Sequence, residues 1–543
     1  MSDVAISARE IDEVDREKAE SVHESEDNEA QYLHGWPFVW LALALLAGSF
    51  MLALDNTILA TAIPQITSDF NSLNDIGWYG SSYLITQMSL LPTCGRVYTF
   101  YNVKWTYIAL LLVFELGSAV CAVAQNSVTL IVGRAVAGVG AAGLLGGAAV
   151  IVSYCIALRK RAMFMGMISI VYGIGSVTGP LIGGVITDNK RLTWRFCFWI
   201  NLPVGAIGLA LIWWTLKRPP PAVKAGLSKR EKLRQLDLPG ATILIGAIVC
   251  LLLALQWGGI VYRWSHPKVL GCLIGFILLL GIFLFLQIRD QEVCTIPLGI
   301  FRNRTVSIST TFMLFIQASM VTITYYWPLY FQSVKGTSAR DSGIYLLPLC
   351  ISSSIATLLC GWLISKIGYY VPFLWVGAPI LAIGCGLYQL VSVHAPAGEW
   401  IGYQIVSGAG YGLCISVPIL AVQVVLDQAD VPTGCVMVLF FQCLGGALAT
   451  SIAQNLFTDK LLRVLEDVDG VDGAAVVRAG AKDFRQVIRP DRLELVIEAF
   501  GSALRDVFWL ALACAVAALA TSAWMEWRKM PKQKKQEVPS VDS

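Results

Sequence analysis

Three ionisable residues stand inside long apolar runs. Asp55 lies within Leu54-Asp-Asn-Thr-Ile-Leu-Ala-Thr-Ala-Ile-Pro64, Glu115 within Phe114-Glu-Leu-Gly-Ser118, and Arg134 within Gly133-Arg-Ala-Val-Ala-Gly-Val-Gly-Ala-Ala-Gly143. A charge in such a run is costly, so it marks a functional site until shown otherwise. A carboxyl group taken out of water holds its proton more tightly, and a nearby guanidinium loosens that hold. Movement between these two settings would couple protons to conformation. The alternatives are a static Asp55–Arg134 pair, an Arg134 that snorkels to a helix end, and a hydrogen-bonded structural acid at Glu115.

A second pattern surrounds Tyr172 to Asp188, where Gly175, Gly179, Pro180, Gly183 and Gly184 punctuate an apolar segment. Glycines at i, i+4 and i+8 strip one helix face of side chains and admit a neighbouring helix closely. Pro180 removes a backbone donor and bends the helix. Such a helix suits a moving contact between two bundles; a tightly packed structural helix is the plainer reading.

The elements that must hold these residues follow from composition. The chain has 543 residues, 56% hydrophobic and 14% charged, against about 25% charged in an ordinary soluble protein. Apolar runs of about 20 residues recur, each able to cross a bilayer. The fold class is an all-α polytopic membrane protein. Fourteen spans are expected, from Phe38–Ala60 to Ala503–Trp524, with twelve as the alternative if the middle pair lies on the surface. Residues 1–35 form an acidic tail with eleven Asp or Glu before residue 34, read as disordered and cytosolic. Residues 36–216 form one six-helix bundle. Residues 217–304 hold a basic loop and two linker helices. Residues 305–527 form the second bundle, with a folded outer loop at about 458–502, and residues 528–543 are a basic tail.

Lys and Arg in short loops set the orientation. Arg96, Lys104, Arg159, Lys160, Arg161 and Lys366 all fall on the side of the N-terminus, and the loop from Lys217 to Leu238 holds seven Lys or Arg. Both termini are therefore expected in the cytosol, although Lys190, Arg191 and Arg195 run against the rule. The sequon Asn303-Arg304-Thr305 then faces the cytosol and stays unmodified. Eleven of the fourteen cysteines fall in or beside apolar runs, where they act as small apolar residues. Neither disulfides, a metal nor a cofactor is expected. Gly95-Arg-Val-Tyr-Thr-Phe-Tyr-Asn-Val-Lys104 after span two and Gly361-Trp-Leu-Ile-Ser-Lys-Ile-Gly-Tyr-Tyr370 after span ten occupy equivalent places in two halves, a transporter signature.

At this point a resemblance is visible. The Leu54–Pro64 run resembles the first-helix motif of the fourteen-helix drug:proton antiporters of the major facilitator superfamily. Gly133-Arg-Ala-Val-Ala-Gly resembles the fourth-helix motif of that superfamily, and Gly175-Ser-Val-Thr-Gly-Pro-Leu-Ile-Gly-Gly the antiporter motif of the fifth. Trp194-Arg-Phe-Cys-Phe-Trp-Ile-Asn-Leu-Pro-Val-Gly205 and Tyr325-Tyr-Trp-Pro-Leu-Tyr-Phe-Gln-Ser-Val-Lys-Gly336 are similar to further landmarks. Phe114-Glu-Leu-Gly-Ser118 and the Gly95–Trp105 run look like fungal toxin and multidrug exporters. Where the superfamily places an acid five residues after span two, this chain has Thr99, while Arg96 and Lys104 remain.

The resemblance implies a major facilitator fold with a proton site at Asp55, modulated by Arg134, and an exporter hinge at the five residues from Gly175 to Gly184. It implies a substrate cavity between the halves, for which Asn56, Gln87, Tyr325, Tyr326, Gln423, Phe441 and Gln442 are candidates. The implied function is proton-coupled efflux of amphipathic small molecules at the plasma membrane, with the vacuole as a second address. The runner-up is an organellar carrier of basic amino acids or siderophores. The expected partners are a small organic substrate, protons and the bilayer; no nucleic acid is implied, and a monomer is expected. No G-x-x-x-x-G-K-[ST] phosphate loop is present, so an ion gradient must supply the energy. A membrane enzyme is disfavoured, because the four histidines, at 23, 34, 266 and 394, all stand away from mid-span. A receptor is disfavoured by the short inside loops.

Overall fold

The computed structural model describes residues 35–70, 75–188, 193–216, 236–259, 262–289, 298–427, 429–468 and 488–530, with a few isolated positions between them. The acidic tail, nearly all of the 217–235 loop and residues 531–543 lie outside the described residues. The apolar runs fold as long helices. They are α1 Trp36–Phe70, α2 Ile76–Phe100, α3 Val103–Ala122, α4 Ser127–Cys155 and α5 Leu158–Asp188. Helix α6 is Phe196–Thr215, interrupted at Ile200. Then come α7 Leu238–Trp257, α8 Pro267–Arg289, α9 Arg304–Ser333, α10 Leu347–Ile367 and α11 Val371–Leu387. Helix α12 is Ala397–Val425, broken near Ile415 ahead of Pro418. Helices α13 Val431–Glu466 and α14 Leu493–Ser522 complete the set. Asparagines start three of them, because their short amide accepts from otherwise orphaned backbone N–H groups. Asn102 accepts from Lys104 N at 3.1 Å, Asn126 from Thr129 N at 2.8 Å and Asn303 from Thr305 N at 3.0 Å. The asparagine of the sequon is thus a helix cap.

The helices pack as two copies of one plan. In the first half α1 packs on α5 and α6, α4 on α2 and α3, and α3 on α6. In the second half α9 packs on α13 and α14, α12 on α10 and α11, and α11 on α14. Adding eight to each label of the first half gives the second. The halves meet through two matching contacts, α5 on α10 and α2 on α13. Helices α7 and α8 pair with each other, and α7 leans on α2 and α13. Helix α4 has 78% of its apolar window buried and α8 only 11%, so α4 is a bundle core and α8 a peripheral helix.

Twelve helices among the described residues are long and apolar enough to cross a membrane, and α2 and α5 are not among them. The expected fourteen spans therefore exceed what length and apolarity support. The physical reason is position. Helix α2 carries Ser81, Ser82, Thr86, Gln87, Ser89, Thr93 and Arg96, and α5 opens on Arg159-Lys160-Arg161. Both run between the halves, facing protein on two sides. The expected outer loop at 458–502 is also partly helical, because α13 runs on to Glu466 and α14 starts at Leu493. Buried Leu461, Leu465, Val496 and Phe500 hold the extensions together, with the Phe457 and Phe500 rings 5.9 Å apart.

Candidate functional site

Asp55 is fully buried in α1. Its Oδ2 lies 2.6 Å from Nη1 of Arg134, which is 1% exposed. Its Oδ1 accepts from Nδ2 of Asn201 on α6 at 3.0 Å, and the same amide nitrogen donates to Ser118 Oγ on α3 at 3.2 Å. Arg134 also donates through Nε to the Tyr79 carbonyl at 3.0 Å, and its guanidinium sits 4.3 Å from the centre of the Tyr83 ring. Helices α1, α2, α3, α4 and α6 thus converge on one charge pair. Burying such a pair is tolerable only when its remaining donors and acceptors are met. Asn201 belongs to the Trp194–Gly205 run, but the sequence reading did not single it out. Its signal was available: it is the lone amide in the apolar stretch from Phe196 to Thr215.

Glu115 does not join the pair. It is half-buried at the seam between α3 and α6, where a methyl group on Gly205 would collide with its carboxyl. Neither carboxyl oxygen has a hydrogen-bond partner among the described residues. The neighbouring Leu112, Leu116 and Ile207 are exposed, so this seam faces away from the second half.

The glycine face of α5 packs on α1, within the first half, rather than on the second half. A Cβ at Gly175 would meet Ala53 and Phe50, one at Gly179 would meet Thr57 and Ile58, and one at Gly183 would meet Thr61 and Ile58. The reason is register: this face winds along the same turns of α1 that present Asp55 and Asn56. Gly184 points elsewhere, with open space where its Cβ would be. Pro180 lies inside the unbroken helix.

The contact between halves is made instead at the end carrying the basic turns. A Cβ on Gly95 would stand 3.1 Å from Val436 of α13, and one on Gly146 of α4 3.0 Å from the same residue. A Cβ on Gly361 would press on the backbone of Met163 at 2.6 Å and of Ala162 at 2.9 Å, and one on Gly166 would stand 2.9 Å from Thr357. Arg161 closes this end. It donates to the carbonyls of Ile156, at 2.8 Å, and Ser153, and reaches Gln423 Oε1 at 3.5 Å. Gln423 in turn touches Cys435 Sγ at 3.4 Å. Gln423 is therefore part of the closed end rather than a cavity wall. Lys104 makes its contacts within the first half, and Arg96 has one ring contact there. Arg96 lies 5.6 Å from the Phe100 ring, and Lys104 Nζ donates to the Trp213 carbonyl at 2.8 Å. Lys104 thereby caps the last turn of α6 with a cation. Thr99 bonds back to the Gly95 carbonyl at 3.1 Å inside its own helix.

Between the halves, above the closed end, lies a cluster of phenols and amides. Asn56 lies near Tyr172, which is also close to Tyr325 and the Cys443 thiol. Tyr411 in turn lies near Tyr172. Tyr411 donates to Gln317 Oε1 at 2.9 Å, and Gln442 Nε2 donates to the same oxygen at 3.2 Å. Asn56, Tyr325 and Gln442 among the expected wall residues meet here. The others do not. Tyr326 is buried and bonded to Gln454 at 3.3 Å, Phe441 packs 6.1 Å from Phe301, and Gln87 is buried on α2. Residue type alone could not tell which face each of these occupies. Tyr172, Gln317 and Tyr411 were missed, although each is a polar side chain in an otherwise apolar stretch. Elsewhere an apolar groove of about 580 Å³ runs along α10 and the start of α12, lined by Ile351, Ile355, Trp400 and Ile405. It has the character of a lipid-contacting surface.

The chain matches the Major Facilitator Superfamily over residues 45–450. It is 61% identical over 511 residues to the MFS-type transporter ltbE of Aspergillus luteorubrus, covering 94% of this chain and 93% of that one. It is 39% identical over 507 residues to the efflux pump aflT of Aspergillus parasiticus, covering 93% of this chain and 98% of that one. The fold resembles that of the proton:xylose symporter XylE, with a TM-score of 0.59 at 12% identity over 90% of this chain and 96% of that one. Two halves related by one packing plan, a buried Asp–Arg pair in the first and a polar cluster between them accord with these matches: the chain belongs to the major facilitator superfamily, and it is a multi-pass membrane transporter rather than an enzyme.

Proposed function

We propose that the chain is a proton-coupled exporter of amphipathic small molecules, working as a monomer in the plasma membrane. The observation that carries the reading is the Asp55–Arg134–Asn201 cluster. It is a carboxylate held by a cation and an amide, all supplied by helices of one half. In this scheme the halves rock about the α5–α10 and α2–α13 contacts. Cargo enters from the cytosol, leaves on the far side, and Asp55 exchanges its proton as Arg134 approaches or withdraws. The closed end bearing Arg161 and Gln423 is the cytosolic one in this reading, following the Lys and Arg bias.

Fourteen spans remain the best account of the topology. Helices α2 and α5 are as long as the twelve apolar helices and lie inside the assembly, where neighbouring protein rather than lipid sets how polar a helix can be. With fourteen spans both termini are cytosolic, and residues 217–304 join two equivalent bundles. Relatives named as efflux pumps favour export as the direction. A carrier of basic amino acids fits less well, because the phenol and amide cluster contains no acid to pair with a cationic cargo.

The test is efflux of an amphipathic dye from a pump-deficient yeast strain expressing the chain, with and without a protonophore. Export against the dye's concentration gradient that stops with the protonophore and is lost in Asp55→Asn, at equal surface expression, supports the reading. Export that persists in both conditions refutes it.

A further inference from the structure

We propose that the cargo is an uncharged, planar, hydrogen-bonding aromatic, and that Gln317, Tyr411 and Gln442 of the second half, opposite Tyr172 and Asn56 of the first, select it. The proposal rests on the exporter reading and adds the chemical class of the molecule carried.

The first support is a charge inventory. Between their end turns, α9 from Thr305 to Ser333, α10 from Leu347 to Ser365, α11, α12 from Trp400 to Val425 and α13 from Val431 to Thr458 contain no Asp, Glu, Lys, Arg or His. In the first half, Asp55 and Arg134 neutralise each other in a pair 0% and 1% exposed, with the Tyr83 ring lying over the guanidinium. Glu115 stands at the α3–α6 seam beside exposed Leu116 and Ile207, away from the phenols and amides. Apart from Arg161, whose donors are taken by the Ile156 and Ser153 carbonyls and Gln423 at the closed end, an organic ion moved from water to this wall would find no counter-ion, and an unpaired charge is the costliest group to desolvate.

The second support is what the wall offers in place of charge. Gln317 Oε1 accepts from both Tyr411 and Gln442, which holds all three side chains in one arrangement. That leaves Gln317 Nε2 as a donor, with Gln442 Oε1 and the Tyr411 oxygen as acceptors. A ligand carrying a carbonyl beside a hydroxyl matches this set. On the facing side Tyr172 lies beside Asn56. Tyr172 is 37% exposed and Tyr325 63% exposed, although the two lie near each other between the halves. Their open ring faces suit stacking on a flat aromatic at offset geometry.

A delocalised cation is the competing cargo, because tyrosine faces also attract cations. The two are separated by equilibrium binding to the purified full-length protein. The probes are 1,8-dihydroxyanthraquinone at mildly acidic pH, where it is neutral, and tetraphenylphosphonium. The quinone is expected to bind at least about tenfold tighter than the cation. Gln317→Ala removes the shared acceptor and is expected to weaken quinone binding about tenfold, the effect of losing a well-placed hydrogen bond. Gln442→Glu puts a carboxylate on the wall and is expected to reverse the preference toward the phosphonium. Thermal melting checks that each variant is folded; if Gln317→Ala is not, Tyr411→Phe and Gln442→Glu decide. Tighter binding of the phosphonium by the unmodified protein, absent quinone binding, or quinone affinity unchanged in the folded variants each overturns the proposal. Phosphonium efflux driven by a pH gradient, without quinone binding, overturns the cargo class while leaving the exporter reading intact. Quinone binding that responds to these substitutions, with transport indifferent to pH, upholds the subsite and refutes proton coupling.

Discussion

The Asp55–Arg134 contact makes a quantitative claim that a double-mutant cycle can refute. The pair is 2.6 Å apart and buried on both sides. Asp55 has one further donor, Asn201, while Arg134 has the Tyr79 carbonyl and the Tyr83 ring. Removing either member leaves the other charge buried with only these weaker partners, which typically costs about 3–5 kcal/mol. Arg134→Ala and Asp55→Leu should each lower the melting temperature of the purified protein by roughly 10 °C, taking a few degrees per kcal/mol for a bundle of this size. The double substitution leaves no stranded charge. Its cost should fall short of the sum by about 2–3 kcal/mol, the upper range for residues in direct contact. The assay is scanning fluorimetry of the four proteins in one detergent. Additive losses would mean that the side chains do not depend on each other, and the site as described would be wrong.

Four further outcomes follow from other contacts. Asn201→Ala removes a hydrogen bond to a carboxylate and should cost about 1.5–3 kcal/mol. Asn201→Asp sets a second carboxylate beside Asp55 and should be worse; the reverse order in a melting experiment would contradict the geometry. Gly179→Ala drives a methyl into Thr57 and should cost about 1–3 kcal/mol, whereas Gly184→Ala enters open space and should be near neutral. Equal effects on melting would deny the α1–α5 packing. Gly166→Cys with Thr357→Cys should form a disulfide across the halves, since a Cβ at Gly166 stands 2.9 Å from Thr357. Efflux should stop on oxidation and return with reductant, and unimpaired efflux by cross-linked protein would show that this end never opens. Lys104→Gln loses a cation capping α6 and should cost only about 0.3–1 kcal/mol with efflux retained. Abolished efflux at unchanged stability would assign that residue a gating role.

How much of this was legible in the sequence depends on range. Helix existence follows from local apolar runs, and the acid in α1 with the arginine in α4 stand out because charge is expensive in an apolar segment. The two-halves plan was visible only as a faint match between Gly95–Lys104 and Gly361–Tyr370; its full form is a set of long-range packings. Face and depth were not legible. Gln423 and Phe441 have suitable chemistry for a cavity, yet one lies at the closed end with Arg161 and the other against Phe301. Asn201 was visible as a lone amide, but its partner, 146 positions away, was not. The glycine face was readable as a close approach, but nothing local names α1 as the helix that approaches. The polarity of α2 and α5, which lowers their apparent fitness as spans, becomes intelligible only once both are seen between the halves.

The most direct test of the account is uphill transport in proteoliposomes under an imposed pH gradient, comparing the unmodified protein with Asp55→Asn. The unmodified protein should concentrate a labelled cargo only while the gradient lasts. Asp55→Asn, which cannot release a proton, should still exchange cargo down its concentration gradient but fail to accumulate it. Gradient-driven accumulation by Asp55→Asn at the unmodified rate would contradict the account.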